Sequence, residues 1–143
     1  MQLSRYLPMR PAQPQLGMFI VRLVVGSTFV LHGGQKVFGW FGGPGLDGYI
    51  DYVTSMGAAP FWGYLSAFGE FFGGLMVLIG IAAELGALII ALDMLWAIFM
   101  VHWPHGYFIQ DHGFEYPLNL LLLCLALIFG GCGKYYYLCK RCG

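Results

Sequence analysis

Four long apolar segments are the feature of this sequence that most restricts its fold. They cover residues 16–38, 61–83, 85–103 and 116–132. At about 1.5 Å rise per residue, helices of these lengths span or nearly span a hydrocarbon core of roughly 30 Å. Transmembrane strands would show about ten residues of alternating hydrophobicity, and that pattern is missing here. The segments therefore predict an all-α integral membrane four-helix bundle.

The composition agrees with a protein embedded in lipid. Hydrophobic residues make up 59% of the 143 residues and charged residues only 10%, whereas soluble chains carry about 25% charged residues. Seven basic residues balance seven acidic ones, so there is no basic patch for nucleic acid. We expect residues 1–143 to form a single transmembrane domain, with residues 133–143 as a cysteine-containing cytoplasmic tail.

The basic residues also predict the orientation in the membrane. They lie before the first apolar segment and after the last one, at Arg5, Arg10, Lys134, Lys140 and Arg141. By the positive-inside rule, both termini of this multi-pass protein should face the cytoplasm. The first segment is too long for a signal-peptide core and lacks a cleavage site, so it is predicted to remain as an anchor.

A glycine-rich stretch, GGPGLDG at residues 42–48, follows the first segment. Gly43, Gly45 and Gly48 have the G-x-G-x-x-G spacing of a dinucleotide-binding turn. That turn needs a preceding parallel strand, which is not predicted here. A membrane interface explains the surrounding residues better, because Trp40 and Phe41 suit the headgroup region and Lys36 can extend toward it. The next apolar residues recur at helical spacing and predict a short interfacial helix between the first two transmembrane helices: Leu46, Tyr49, Ile50, Val53 and Met56.

Three ionisable residues, Arg22, Glu70 and Asp93, lie well inside the apolar segments. Each would cost roughly 2.5 to 3.5 kcal/mol facing lipid, so all three should face inward as one charge cluster. Counting residues from the helix ends pairs Arg22 with Asp93 and places Glu70 nearer His32. Such a cluster can be a structural clasp or part of a functional site, and the sequence leaves both open.

Helical periodicity places small or polar residues beside these charges on one face of each of three helices. The predicted faces are Arg22, Gly26, Phe29, Gly33 and Lys36 on the first, Gly63, Ser66, Glu70 and Gly74 on the second, and Gly86, Asp93, Ala97 and Met100 on the third. Gly69 and Gly73 form a small-xxx-small pair that could support a homo-oligomer.

Polar and aromatic residues are also concentrated at the predicted outer rim of the bundle. They are His32, Lys36, Trp40, His102, Trp103, His105, Tyr107, Asp111, His112 and Glu115. Histidines and carboxylates can hydrogen-bond the two carbonyls of a quinone and exchange protons with it. We therefore predict a quinone or proton site formed by His32, Lys36, Trp40, Glu70 and His102.

A metal or haem site is not predicted from the same histidines. His32 should lie deeper than His102, which is awkward for two axial ligands of one haem iron. His102 and His105 with Asp111 or His112 match no strong zinc spacing, and Pro104 interrupts the helix there. No intrinsic redox cofactor is evident in the sequence.

Three of the four cysteines, Cys132, Cys139 and Cys142, are close to the C-terminus, and Cys124 lies inside the last apolar segment. A reducing cytoplasm argues against structural disulfides in the tail. Cys139 and Cys142 form a C-x-x-C pair that could exchange thiols or bind metal with a further ligand. We expect a free dithiol.

Three stretches, RLVVGSTFVLHGGQKVFGWFGGPG, GEFFGGLMVLIG and FEYP, resemble the DoxX family of small four-helix membrane proteins. The resemblance runs from about Arg22 to Gly131. It implies a prokaryotic cytoplasmic (inner) membrane protein, related to DoxD of thiosulfate:quinone oxidoreductase and linked to oxidoreductase assemblies or redox homeostasis. The family positions are Arg22, His32, Gly33, Lys36, Gly39, Trp40, Phe41, Gly42, Gly43, Pro44, Gly45, Glu70, Gly73 and Gly74, and no established catalytic role travels with them.

These observations favour a membrane subunit of a quinone-linked oxidoreductase system, with partner subunits that supply the redox cofactor. A non-catalytic scaffold or assembly factor for a redox complex is the alternative. A small-molecule or proton transporter is a third hypothesis, but four helices leave little room for alternating access and no inverted repeat is visible.

Overall fold

The computed structural model describes residues 13–133, and within this range the chain is all-helical with no strand. The α-helices are α1 (Pro14–Phe38), α2 (Gly45–Ser55), α3 (Pro60–Ile79), α4 (Ala83–Ala97) and α5 (Glu115–Gly130). Helices α1, α3, α4 and α5 form the bundle. Helix α2 and residues 98–114 lie at the same end of it, which we name the loop end. The predicted helical membrane bundle, with a short helix between its first two long helices, is confirmed.

Three helices are long and apolar enough to cross a membrane: Pro14–Phe38, Pro60–Ile79 and Ala83–His105. Helix α5 is a shorter apolar helix of 16 residues, or about 24 Å. Many large apolar side chains point away from the bundle, and Phe129 is 83% exposed. Water-soluble monomers rarely expose apolar surface on this scale, so this surface is suited to lipid. The sequence also predicts that Tyr135, Tyr136 and Tyr137 extend the end of the last helix into the headgroup layer. These three residues lie outside the described part of the chain.

Proline and glycine set the helix boundaries. Pro14 and Pro60 occupy first-turn positions, where their missing N–H costs no helical hydrogen bond. Helices α1 and α3 end at Gly39 and Gly80, which adopt left-handed backbone conformations with φ of 72° and 84°. Because of Gly80, α3 ends at Ile79 instead of continuing to residue 83 as predicted.

Glycines allow α1 and α3 to pack with their backbones in contact. A methyl group added at Gly26 would lie 2.6 Å from Cα of Leu78, and one added at Gly74 would lie 2.6 Å from the backbone nitrogen of Val30. The predicted inward faces of these two helices are confirmed, because Arg22 and Glu70 are buried together with the small residues of their stripes. The small residues on the facing sides of α1 and α3 therefore set how closely the two helices pack.

The predicted oligomerisation face on α3 is wrong. Gly73 packs against the carbonyl oxygen of Gly86, which would lie 3.2 Å from an added methyl group, and Gly69 packs against Ile89. Both glycines thus serve the contact between α3 and α4 within one chain, and they are not available to a second copy.

The predicted face of the third long helix holds only in part. Gly86 is buried, but Met100 is 49% exposed. The chain forms a π-helix over Ile98–His102, which takes more residues per turn than an α-helix and so rotates the residues that follow. Two 3₁₀ turns, Trp103–His105 and Ile109–Asp111, then lead to α5.

Candidate functional site

A buried ion pair joins α1 and α3 near the loop end. The Nζ atom of Lys36 lies 2.9 Å from Oε2 of Glu70, and their side chains are 19% and 4% exposed. The sequence-based interpretation that Lys36 extends outward to the interface is wrong. An unpaired carboxylate in the bundle would be costly, and the long lysine side chain can reach down from the last turn of α1 to neutralise it.

Ser66 on α3 and Tyr49 on α2 supply further contacts to this lysine. The Lys36 ammonium donates to Oγ of Ser66 at 3.4 Å and lies 4.4 Å from the centre of the Tyr49 ring, a cation–π distance. The Tyr49 hydroxyl and Ser66 Oγ are hydrogen-bonded at 3.0 Å. The Lys36 charge is therefore held by a carboxylate, a hydroxyl and an aromatic face.

A second carboxyl group, that of Asp93 on α4, completes the polar group. Asp93 acts electrostatically on both Glu70 and Lys36. One ammonium and two carboxyl groups therefore lie close together, and carboxyl groups can accept and release protons. We name Lys36, Glu70 and Asp93 the polar triad.

Arg22 lies outside this triad, so the predicted cluster of Arg22, Glu70 and Asp93 is corrected. Its Nη1 atom donates to the carbonyl oxygen of Cys132 at 3.0 Å, which ties α1 to the end of α5. Arg22 precedes Lys36 by about 21 Å along α1. Asp93 is at the level of Lys36, so the predicted pairing of Arg22 with Asp93 is wrong.

The polar triad lies in the wall of a cavity of about 330 Å³ that all five helices line. Four of the five residues predicted for a quinone or proton site line this cavity. The full lining is Phe29, His32, Lys36, Tyr49, Tyr52, Ser66, Glu70, Asp93, Met94, Trp96, Ala97, Val101, His102, Tyr116, Pro117 and Leu120. The fold thus brings His32, Lys36, Glu70 and His102 to one space.

Trp40, the fifth predicted residue, lies elsewhere. Its ring stacks on Phe38 with centres 5.3 Å apart and meets the edge of Phe71 at 5.8 Å. Gly34 makes room for the indole, because a methyl group there would overlap it. Trp40 is therefore part of an aromatic cluster on the outside of α1 and α3.

The remaining rim residues organise the connection between α4 and α5. His102 Nδ1 lies 2.7 Å from the carbonyl oxygen of His112, and the backbone N–H of Ile109 donates to Glu115 at 3.1 Å. The rings of His105 and His112 meet edge-on at 6.4 Å. Within residues 13–133, no group of three or more His, Cys, Asp and Glu side chains is placed to hold a metal ion.

The two cysteines in the described part of the chain differ in oxidation state. Cys124 is free and buried in α5. Cys132 is disulfide-bonded, so the expectation of reduced thiols near the C-terminus is wrong for Cys132. Cys139 and Cys142, for which a free dithiol was predicted, lie outside the described residues.

Several cavity residues were not identified as site residues from the sequence. Tyr49 was assigned only to the apolar stripe of α2, and Trp96 carried no signal beyond hydrophobicity. Tyr116 could have been found, because it belongs to the FEYP stretch that resembles the family and its ring lies 6.4 Å from that of His32.

The hydrogen bond from Tyr49 can be tested by removing one atom. We expect Tyr49→Phe to lower the free energy of unfolding by about 1 kcal/mol, because it removes the buried contact with Ser66 but keeps the ring over Lys36. Tyr64→Phe is the matched control, since Tyr64 is 43% exposed and lies outside the cavity. Unfolding by SDS in mixed micelles measures both variants. Equal midpoints for Tyr49→Phe and the wild type would contradict this contribution.

The fold and the site define a small helical membrane protein with a polar cavity between its helices. Comparison with known sequences gives the family: residues 17–103 match the DoxX family, and the chain belongs to it. The chain is also 30% identical over 113 residues to the Bacillus subtilis (strain 168) protein named "Putative oxidoreductase CatD", and the match covers 79% of each chain. No solved structure matches the chain.

Proposed function

We propose that this chain is the membrane subunit of a quinone-linked oxidoreductase system and that its cavity binds a quinone headgroup and exchanges protons with it. The observation that carries the proposal is the polar triad of Lys36, Glu70 and Asp93 in the wall of an otherwise largely apolar and aromatic cavity. The oxidoreductase name of the 30% identical relative supports a redox-associated role.

The size and lining of the cavity suit a planar ring. A volume of about 330 Å³ is at the small end of the range for ligand pockets, roughly 300 to 1,000 Å³. Tyr49, Trp96 and Tyr116 supply aromatic surface, and Lys36 can donate a hydrogen bond to one carbonyl oxygen. His102, whose Nδ1 donates to the carbonyl of His112, can donate to the other carbonyl through Nε2 when its ring is protonated. These are the interactions that a quinone ring with its two carbonyls would use.

The triad can also take part in the protonation that accompanies quinone reduction. Reduction to the hydroquinone consumes two electrons and two protons, one for each carbonyl oxygen. A carboxyl proton of Glu70 or Asp93 would be one source. The second proton would come from the loop end, where His102 lines the cavity. With the predicted orientation, the loop end faces away from the cytoplasm.

The electrons would come from a partner. No haem, flavin or iron–sulfur signature is present in the sequence, so a partner subunit with its own redox cofactor is the reductant in this proposal. A chain that binds no quinone yet is required for the activity of such a partner would instead be a scaffold or assembly factor.

The proposal is tested by quinone binding to the purified protein in lipid nanodiscs. Menadione should quench the tryptophan fluorescence in a saturable way, because Trp96 lines the cavity. Asp93→Asn should weaken this binding about tenfold, because the amide carries no charge beside Lys36 and cannot exchange a proton with the quinone. Asp111→Asn is the control, since Asp111 lies in the loop outside the cavity, and it should bind like the wild type. A protein without saturable binding would overturn the proposal.

A further inference from the structure

A second cavity lies on the side of the bundle, between α3 and α4. It has a volume of about 460 Å³ and is lined by Trp62, Leu65, Ser66, Ile89, Leu92, Asp93 and Trp96. Its outer walls face the surroundings of the bundle, because Leu65 is 52% exposed and Leu92 is 59% exposed. In a membrane this cavity is a groove open to the hydrocarbon core. We name it the lateral groove.

The lateral groove and the polar cavity meet at common residues. Ser66, Asp93 and Trp96 line both of them. Ser66 and Asp93 are the polar residues of the groove, and both belong to the surroundings of Lys36. The polar cavity and the lateral groove therefore adjoin each other at these three side chains. The rest of the groove wall is apolar.

We propose that the lateral groove holds the apolar chain of the molecule whose headgroup occupies the polar cavity, so the ligand is a prenylated, lipid-soluble quinone that enters sideways between α3 and α4. This inference rests on the proposed function. The groove has one occupant in this proposal, the isoprenoid chain of the bound quinone.

The need for such a groove follows from the size and surroundings of the cavity. A space of about 330 Å³ holds a ring but not a long chain in addition. A chain that left through the loop end would enter water, which is unfavourable for each CH₂ group that becomes exposed. A chain that leaves through the lateral groove stays among Leu65, Leu92 and lipid, and loses no apolar contact. An exit through the groove therefore keeps the headgroup in the polar cavity and the isoprenoid chain in apolar surroundings.

The test compares two probes that share one headgroup, menadione and the same naphthoquinone carrying a farnesyl chain. Both are titrated into protein in nanodiscs, at equal mole fractions of quinone in the lipid. Leu92→Trp should plug the groove and weaken binding of the farnesylated quinone at least about tenfold, the equivalent of two displaced CH₂ groups. Menadione binding should change less than about twofold, because the cavity itself is intact.

Leu88→Trp is the matched control. Leu88 lies one turn earlier on α4 and is 45% exposed, but it lines neither cavity. It should leave both affinities unchanged. Leu65→Trp plugs the groove from α3 and provides a second variant if Leu92→Trp does not fold.

The outcomes separate the two proposals. If menadione and the farnesylated quinone both bind and the plugged variants weaken neither, the groove holds a lipid acyl chain only, and the inference is overturned while the proposed function stands. If the wild type binds neither quinone, the proposed function fails and the inference fails with it. Selective loss of the farnesylated quinone supports both.

Discussion

Lys36→Met is expected to destabilise the bundle by about 3 to 5 kcal/mol, the usual consequence of removing one partner of a buried ion pair. Glu70 is 3% exposed, and without the ammonium its buried carboxylate would lose the cation with which it pairs. Methionine has a similar length and is apolar, so the variant removes the charge with little change in packing. Unfolding by SDS in mixed micelles, followed by tryptophan fluorescence, measures the loss.

The double variant Lys36→Met/Glu70→Gln is the control for this prediction. Removing both charges leaves a neutral amide in place of the orphaned carboxylate, so the double variant should be more stable than Lys36→Met alone. Under the proposed function it should still bind menadione weakly, because the ammonium proposed to donate to a quinone carbonyl is gone. A Lys36→Met protein as stable as the wild type would show that the ion pair does not hold the helices together.

Gly74→Ala is the second change with a large expected effect. The added methyl group would lie 2.6 Å from the backbone nitrogen of Val30 and 2.8 Å from the carbonyl carbon of Phe29. Backbone atoms cannot rotate away as a side chain can, so α1 and α3 must separate. We expect a loss of about 2 to 3 kcal/mol, in the range of overpacked cores, measured as a lower thermal midpoint in detergent.

Gly17→Ala is the matched glycine change on α1. No atom lies within 4 Å of a methyl group at Gly17, so only helix propensity changes, and alanine is favoured there by up to about 1 kcal/mol. This variant should be as stable as the wild type or slightly more so. If Gly74→Ala and Gly17→Ala have the same thermal midpoint, close packing of α1 on α3 is not a source of stability.

Quinone binding and stability can be separated with these variants. Gly74→Ala disturbs the packing of α1 on α3 but lies outside the cavity lining, whereas Asp93→Asn changes the cavity and spares the glycine contacts. The two sets of variants should therefore affect different measurements. Asp93→Asn should keep most of its stability and lose affinity, and Gly74→Ala should lose stability first.

The sequence predicted where the charged side chains point better than what they touch. Lys36 and Glu70 were both placed on inward faces, and both face inward. Their pairing was missed, because depth was counted from the helix ends and Lys36 was taken to extend outward. A lysine side chain is long enough to shift its charge by more than one helical turn, so a count of backbone positions does not identify its partner.

Local deviations from ideal α-helices explain two further errors in the predictions made from the sequence. The π-helix at Ile98–His102 rotated Met100 out of the face on which α-helical spacing had placed it. Gly80 ended α3 before residue 83, because its left-handed conformation closes the last turn. The π-helix has no strong signature in a single sequence. The end of α3 could have been found, because a glycine that follows the last helical residue commonly stops a helix.

The sequence by itself determined the helical membrane fold, the short helix after the first long one and the inward faces of α1 and α3. It could do so because lipid neither hydrogen-bonds the backbone nor solvates a charge, so apolar length and the position of each polar residue restrict the fold strongly. Only the tertiary structure decided that Lys36 pairs with Glu70 near Asp93, and that a lateral groove adjoins their cavity. Those features depend on the axial offset and rotation between helices, which contacts such as Gly26 on Leu78 set to within a few ångströms.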